Sequence, residues 1–281
     1  MTSYLTTHNQ YLNQIAYREL GTENAGLPLV MLTHLSATLD EWDPLFIDQL
    51  AAKNHLVVVD LPGVGASSGQ VPLTIEAMAD QAVKFIKLRG FKKINLLGLS
   101  MGGMIAQAVA EQAPQLVERL ILVGTGPRGG KGIDRVSLVT FTAMLKAFFK
   151  RTDPKRYIFY PHDQRGAKEA ERVLSRLRQR TPDFADQKIT IASFRRQLRA
   201  IKKWGTAPAD NLSRITMPTL IINGDNDTMI PTSNSYQMHE LIKNSELLIF
   251  PNAGHGSIFQ YAIPAAEKIS SFLIMPSRAV L

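Results

Sequence analysis

The sequence predicts an α/β fold: a mostly parallel sheet of about eight strands, with helices on both faces and an inserted helical segment. Three observations carry that expectation. Short apolar runs alternate with amphipathic stretches of helical period, the pattern of strands joined by crossover helices. A serine between glycines joins one of those runs directly to a helix. Between residues 126 and 206 the alternation stops and only helical patterns remain.

Taken in order, the first twenty residues alternate loosely and suit an opening hairpin. Residues 28–33 (Pro-Leu-Val-Met-Leu-Thr) and 55–60 (His-Leu-Val-Val-Val-Asp) are short apolar runs, as buried parallel strands require. Residues 74–89 form a helix, with Ile75, Met78, Ala79, Ala82, Phe85 and Ile86 on one face, Thr74 as its cap and Gly90 at its end. A strand over 93–97 leads into a helix over about 101–111, closed by Pro114, and a further strand covers 119–123. After the insertion come a strand over 219–223, a helix over 232–242, a strand over 246–250 and a last helix across 258–272. The expected core is therefore residues 1–125 and 207–281, and the expected cap is residues 126–206.

The cap differs from its frame in charge as well as pattern. Residues 127–203 hold 20 Lys and Arg against 7 Asp and Glu, a net of +13 within a chain of +8. Solvated helix faces account for such a charge, and so does attraction of an anionic substrate. The 281 residues are 45% apolar and 20% charged, ordinary for a globular chain with a sizeable core. Cysteine is absent, which excludes disulfides and thiolate metal sites and fits a cytoplasmic location. The N-terminus has the basic and apolar regions of no secretory leader, and no apolar run is long enough for a membrane span.

The sharpest motif is Gly98-Leu99-Ser100-Met101-Gly102, followed by Gly103. A strand enters it and a helix leaves it, so the serine sits at the tip of a tight turn with free helix N–H groups beside it. A serine hydroxyl needs a general base, and the base needs an orienting carboxylate. His255 lies in the loop after the last strand, and the segment 223–227 (Asn-Gly-Asp-Asn-Asp) follows an earlier one. Both loops open at the carboxyl edge of a parallel sheet, where sites form.

With these motifs in place, the chain resembles an α/β-hydrolase, of the branch with a helical cap that includes haloperoxidase-like esterases, carbon–carbon bond hydrolases and lactonases. The resemblance spans nearly the whole chain. It rests on residues 33–36 (Thr-His-Leu-Ser), 60–67 (Asp-Leu-Pro-Gly-Val-Gly-Ala-Ser), the serine turn, residues 224–227 with Pro231, and Gly254-His255. It implies Ser100 as nucleophile, His255 as base and Asp227 as the orienting carboxylate, with Asp225 as the competitor two residues earlier. It further implies an oxyanion hole from the backbone N–H groups of Met101 and Ser36. Leu35 stands where the family usually has glycine, and it is also expected at the substrate pocket.

The remaining candidates carry less. His34 is expected to bond the loop it sits in, and Asp60, Gly63 and Gly65 to shape theirs. His8, His55, His162 and His239 have no ligand-like spacing, so neither metal nor cofactor is expected. Phe141, Met144, Leu145, Phe148 and Phe149 form a stripe at helical spacing, which packs between cap helices or contributes one or two side chains to an acyl pocket; Trp204 closes the segment and is a further pocket candidate. The expected activity is hydrolysis of a small carboxylic ester or lactone through an acyl-enzyme. Carbon–carbon bond hydrolysis or perhydrolysis by the same triad, and a binding protein on this scaffold, remain open. The expected partner is a small-molecule substrate, with no nucleic acid and no membrane; the oligomeric state stays open.

Overall fold

The computed structural model describes residues 3–274. The two ends of the expected core, residues 1–2 and 275–281, lie outside the described residues. Eight strands form one sheet: β1 (Gln10–Leu12), β2 (Ile15–Leu20), β3 (Leu29–Leu32), β4 (Leu56–Val59), β5 (Ile94–Leu99), β6 (Val117–Val123), β7 (Thr219–Gly224) and β8 (Ser245–Phe250). Their order is β1-β2-β4-β3-β5-β6-β7-β8. The β1–β2 and β2–β4 pairs are antiparallel and all others parallel. Asn13 and Gln14 both take positive φ in the hairpin turn, which matches the twist of the strands it joins.

The chain moves outward from β3 to β4, then returns past β3 to β5. That reversal opens a crevice between the carboxyl ends of β3 and β5, the position at which sheets of this class bind ligands. Each central strand is buried on both faces, so successive side chains enter opposite clusters. Val30 and Leu32 of β3 pack with Ile75, Met78, Phe85 and Ile105 on one side. Leu29 and Met31 pack with Phe46, Ile47, Ile269 and Phe272 on the other. The first side is covered by α2 (Ile75–Leu88) and α3 (Met101–Gln112). The second is covered by α1 (Pro44–Ala51) and by the C-terminal helices.

Helix α1 went unforeseen, although its start carries a signal: Asp43 accepts from Leu45 N–H at 3.3 Å and Pro44 occupies the first turn. The single last helix expected over 258–272 is instead two, Ser257–Gln260 and Ala262–Ile274. Tyr261, between them, is not helical, and Pro264 then falls in the first turn of the longer helix, where proline is tolerated.

Between β6 and β7 lie α4 (Val136–Lys150), α5 (Lys155–Ile158), α6 (Gln164–Leu177) and α7 (Ile191–Thr206). These helices share the core's two clusters. Val136, Leu198, Ile201 and Trp204 join the side of α2 and α3, and Phe159, Tyr160, Ala170 and Val173 join the side of α1. Polar ties repeat the attachment. Arg176 holds Asp43 with two hydrogen bonds of 2.7 and 2.6 Å, and Ser193 Oγ donates to Gly63 O at 2.6 Å.

Candidate active site

Ser100 caps the junction of β5 and α3 with φ 57° and ψ −115°, a conformation that an L residue adopts only when its surroundings impose it. The surroundings are the flanking glycines. A Cβ on Gly98 would strike the Gly102 carbonyl, and one on Gly102 would strike the Leu32 carbonyl of β3. The backbone is fixed further by Ser100 N–H to Val123 O at 2.8 Å and Thr125 Oγ to Ser100 O at 2.8 Å.

The loop after β8 brings His255 over this serine, and the loop after β7 brings Asp227 behind the imidazole. His255 Nδ1–H donates to Asp227 Oδ2 at 2.8 Å, which leaves the Nε2 lone pair facing Ser100 Oγ, also at 2.8 Å. The other carboxylate oxygen, Asp227 Oδ1, accepts from Met229 and Ile230 N–H at 2.8 and 2.9 Å. All three side chains are buried. Asp225 has a different place. It is exposed, and its Oδ1 accepts from Ala253 N–H at 3.1 Å, so it braces the two loops against each other. Burial is the largest single influence on its carboxyl and raises it, but the hydrogen bonds from the Asn252 and Ala253 backbone and the Asn226 amide together hold it below the usual range.

Met101, the residue after the serine, begins α3, where its N–H has no intrahelical acceptor. Ser36 is also beside Ser100 at the pocket wall, at φ 64°. Its N–H, however, donates to Gln197 Oε1 of α7 at 2.8 Å. The N–H expected as the second oxyanion donor is therefore engaged in this structure, by a carboxamide of α7. Nothing in the sequence around Gln197 marks it apart from any other polar residue on an amphipathic helix.

Above Ser100 lies a cavity of about 320 Å³. Leu35 and Met144 line it as expected positions, together with Ile158, Phe159, Phe194 and Met229, which the sequence did not single out. Phe159 also sets its ring 5.4 Å from that of His255 and 4.8 Å from that of His34. His34 donates from Nδ1 to Leu35 O at 2.9 Å, and burial drives its pKa down to about 3, so it stays neutral. Lys155, the one cationic side chain among the lining residues, is paired with Glu41 at 2.5 Å.

Four expected pocket residues lie elsewhere. Trp204 is buried in the core, under Arg128 at 4.9 Å and donating to Gly126 O at 3.3 Å. Phe141, Leu145 and Phe148 point outward from α4, as does Phe149. The reason is that α4 packs inward through Val136, Thr140, Ala143 and Ala147, whose small side chains let the helix lie close to its neighbours and turn the large ones to the outside. Among the described residues no group of three or more His, Asp or Glu side chains could hold a metal ion.

The family described as alpha/beta hydrolase fold matches residues 28–261, and the chain belongs to it. An alpha/beta hydrolase fold protein from Chitinophaga pinensis superposes with a TM-score of 0.91 at 32% identity, over 98% of this chain and 100% of that one. A pimeloyl-acyl-carrier-protein methyl ester esterase of Nitrosomonas europaea is 27% identical over 246 residues, 85% of this chain and 93% of its own. A poly(3-hydroxyalkanoate) depolymerase of Ectopseudomonas oleovorans is 26% identical over 253 residues, 88% of this chain and 84% of its own. The chain thus stands among hydrolases, with esterases among its relatives.

Proposed function

We propose that the protein hydrolyses carboxylic esters with an apolar acyl group, through an acyl-enzyme at Ser100. The observation that carries this reading is the Ser100–His255–Asp227 relay, at 2.8 Å in both links, under an apolar cavity. Ser100 Oγ attacks the ester carbonyl as His255 Nε2 takes its proton, and Asp227 steadies the imidazolium. Met101 N–H receives the developing oxyanion. His255 then returns the proton to the leaving alcohol, the alcohol departs, and water activated by the same imidazole releases the acid. Ser36 N–H joins the oxyanion site only by giving up Gln197 Oε1, so α7 controls the second donor. An uncharged acyl group suits the lining better than a diketo acid, because the cap's excess positive charge lies outside the cavity and Lys155 is already paired.

Turnover of a p-nitrophenyl ester series, from acetate upward, by wild type and Ser100→Ala tests this. The expected result is a preference for chains longer than acetate and a fall of about 10⁴-fold or more in the variant. Equal rates in the two proteins would sink the serine mechanism.

A further inference from the structure

The outward face of α4 carries an exposed apolar row. Leu138, Phe141, Leu145 and Phe148 follow one another at helical spacing, with Phe149 beside them, and Phe148 and Phe149 are 76% and 74% exposed. A soluble surface scatters large apolar side chains singly, and a contiguous row of this size marks an interaction site. The row does not stop at the helix. Met144, at its inner edge, lines the cavity, and the Phe141 ring meets edge-on that of Phe194, another lining residue, at 6.4 Å. Apolar surface therefore runs from the outside of the cap to the space above Ser100.

The charges beside this row select its occupant. Helix α4 contains no acidic residue. Lys146, Lys150 and Arg151 flank it on the side away from the cavity, all exposed, and none is in an ion pair among the described residues. Lys146 instead lies over the Tyr157 ring at 4.5 Å. A second copy pairing through α4 would bring lysines together with no carboxylate on the helix to answer them. An anionic lipid surface supplies both requirements, acyl chains for the phenyl rings and headgroup charge for the cations at their edge. No helix among the described residues is long and apolar enough to cross a membrane, so such a contact lies in the interface plane.

We propose that α4 docks the protein on an anionic lipid surface and that lipid-borne esters reach Ser100 along Phe141 and Met144. This departs from the expectation of no membrane partner. The delivery half rests on the ester-hydrolase reading; the docking half does not.

The test uses the full chain carrying Ser100→Ala, so that no lipid is turned over, in flotation with vesicles of phosphatidylcholine alone or mixed with phosphatidylglycerol. The protein should float with the mixed vesicles. The Phe148→Ser/Phe149→Ser variant should lose about tenfold or more of that partition, since two buried rings are removed. Lys146→Gln/Lys150→Gln should lose binding to the mixed vesicles only. With Ser100 restored, both variants should keep wild-type hydrolysis of a soluble p-nitrophenyl ester, which shows that they fold. Failure to float with phosphatidylglycerol vesicles overturns the docking; so does a dimer in solution that the Phe148→Ser/Phe149→Ser change dissolves, or capture by an acidic protein in place of lipid. Flotation together with no hydrolysis of soluble esters leaves the docking intact and removes only the catalytic reading.

Discussion

The floor and the roof of the site are built on opposite terms. On the floor the three polar side chains are buried and committed: Ser100 to His255, His255 to Asp227, and Asp227 to two backbone N–H groups. In the roof, α4 buries only small residues and presents its leucines and phenylalanines outward, while one polar side chain, Gln197, reaches down to the floor. The difference teaches that rigidity resides where chemistry demands fixed geometry, and that choice of substrate is left to a layer with surface to spare.

The sharpest way to break that division is Asp227→Asn. An asparagine oxygen can keep the bonds from Met229 and Ile230 N–H, but its amide would face His255 Nδ1 and force the imidazole proton onto Nε2. A fall of about 10⁴-fold in kcat with an unchanged melting temperature is expected, as for a triad with the wrong tautomer. A fall of only a few fold would show that the carboxylate does not orient the base.

Control of the floor by the roof is tested by Gln197→Met, which removes the acceptor and keeps the bulk. If α7 restrains the second oxyanion donor, kcat/KM for a soluble ester should rise by about 2- to 10-fold, the weight of one hydrogen bond. Ser36 is exposed, so water can replace the lost partner and urea unfolding should show a cost of no more than about 1 kcal/mol, the net worth of one hydrogen bond. A loss of activity alongside the loss of stability would instead make Gln197 a support of the loop.

The smallest effect concerns the joint between the layers. Asp60, at the end of β4, and Asp186, in the loop before α7, converge beside Gly65, where a Cβ would strike both carboxyls. Asp186 Oδ1 meanwhile accepts from Asn9 Nδ2 at 2.9 Å and Ala66 N–H at 3.1 Å. Burial first, and Asp186 second, raise the Asp60 carboxyl well above the carboxylate range, against the opposing Leu39 backbone and Arg18. A group whose pKa is higher in the folded state contributes stability at acid pH and loses it as pH climbs through the raised value. The wild-type Tm should therefore drop as pH rises, and Asp60→Asn should remove about 2–4 °C of that drop. An identical Tm profile in both proteins would mean that no proton is held there.

The sequence disclosed what backbone geometry demands. Gly98 and Gly102 are legible because only glycine fits against the Gly102 and Leu32 carbonyls, and the strands because each is buried on both faces. The resemblance to the family favours Asp227 over Asp225, and the two do separate in the fold, one behind the imidazole and one at the surface. The roof was less legible. Periodicity located α4, α6 and α7, missed the single turn of α5, and said nothing of rotation, since the spacing of Phe141, Leu145 and Phe148 reads the same whether the row faces in or out. What decided it were the alanines on the opposite face, a packing property of neighbouring helices. Trp204 misled for a related reason, since a large aromatic at the end of a cap suits a pocket wall as well as an anchor. Phe159 and Gln197 act through contacts with His255 and Ser36, far away in sequence, and no local pattern marks them.

The cap's fastening to both halves of the core has a bearing on time. A lid hinged on a single linker opens by swinging as a body, on the scale of microseconds to milliseconds. Here Arg176, Ser193 and the Asp60–Asp186 contact pin opposite ends of the cap, and the cap's buried side chains belong to clusters it does not own. Turns of single lining side chains such as the exposed Met144 are the faster motion such a fastening leaves, on a scale of picoseconds to nanoseconds. On the proposed reading, with Ser100 as nucleophile, turnover would then be paced by bond-making and not by a swing of the roof.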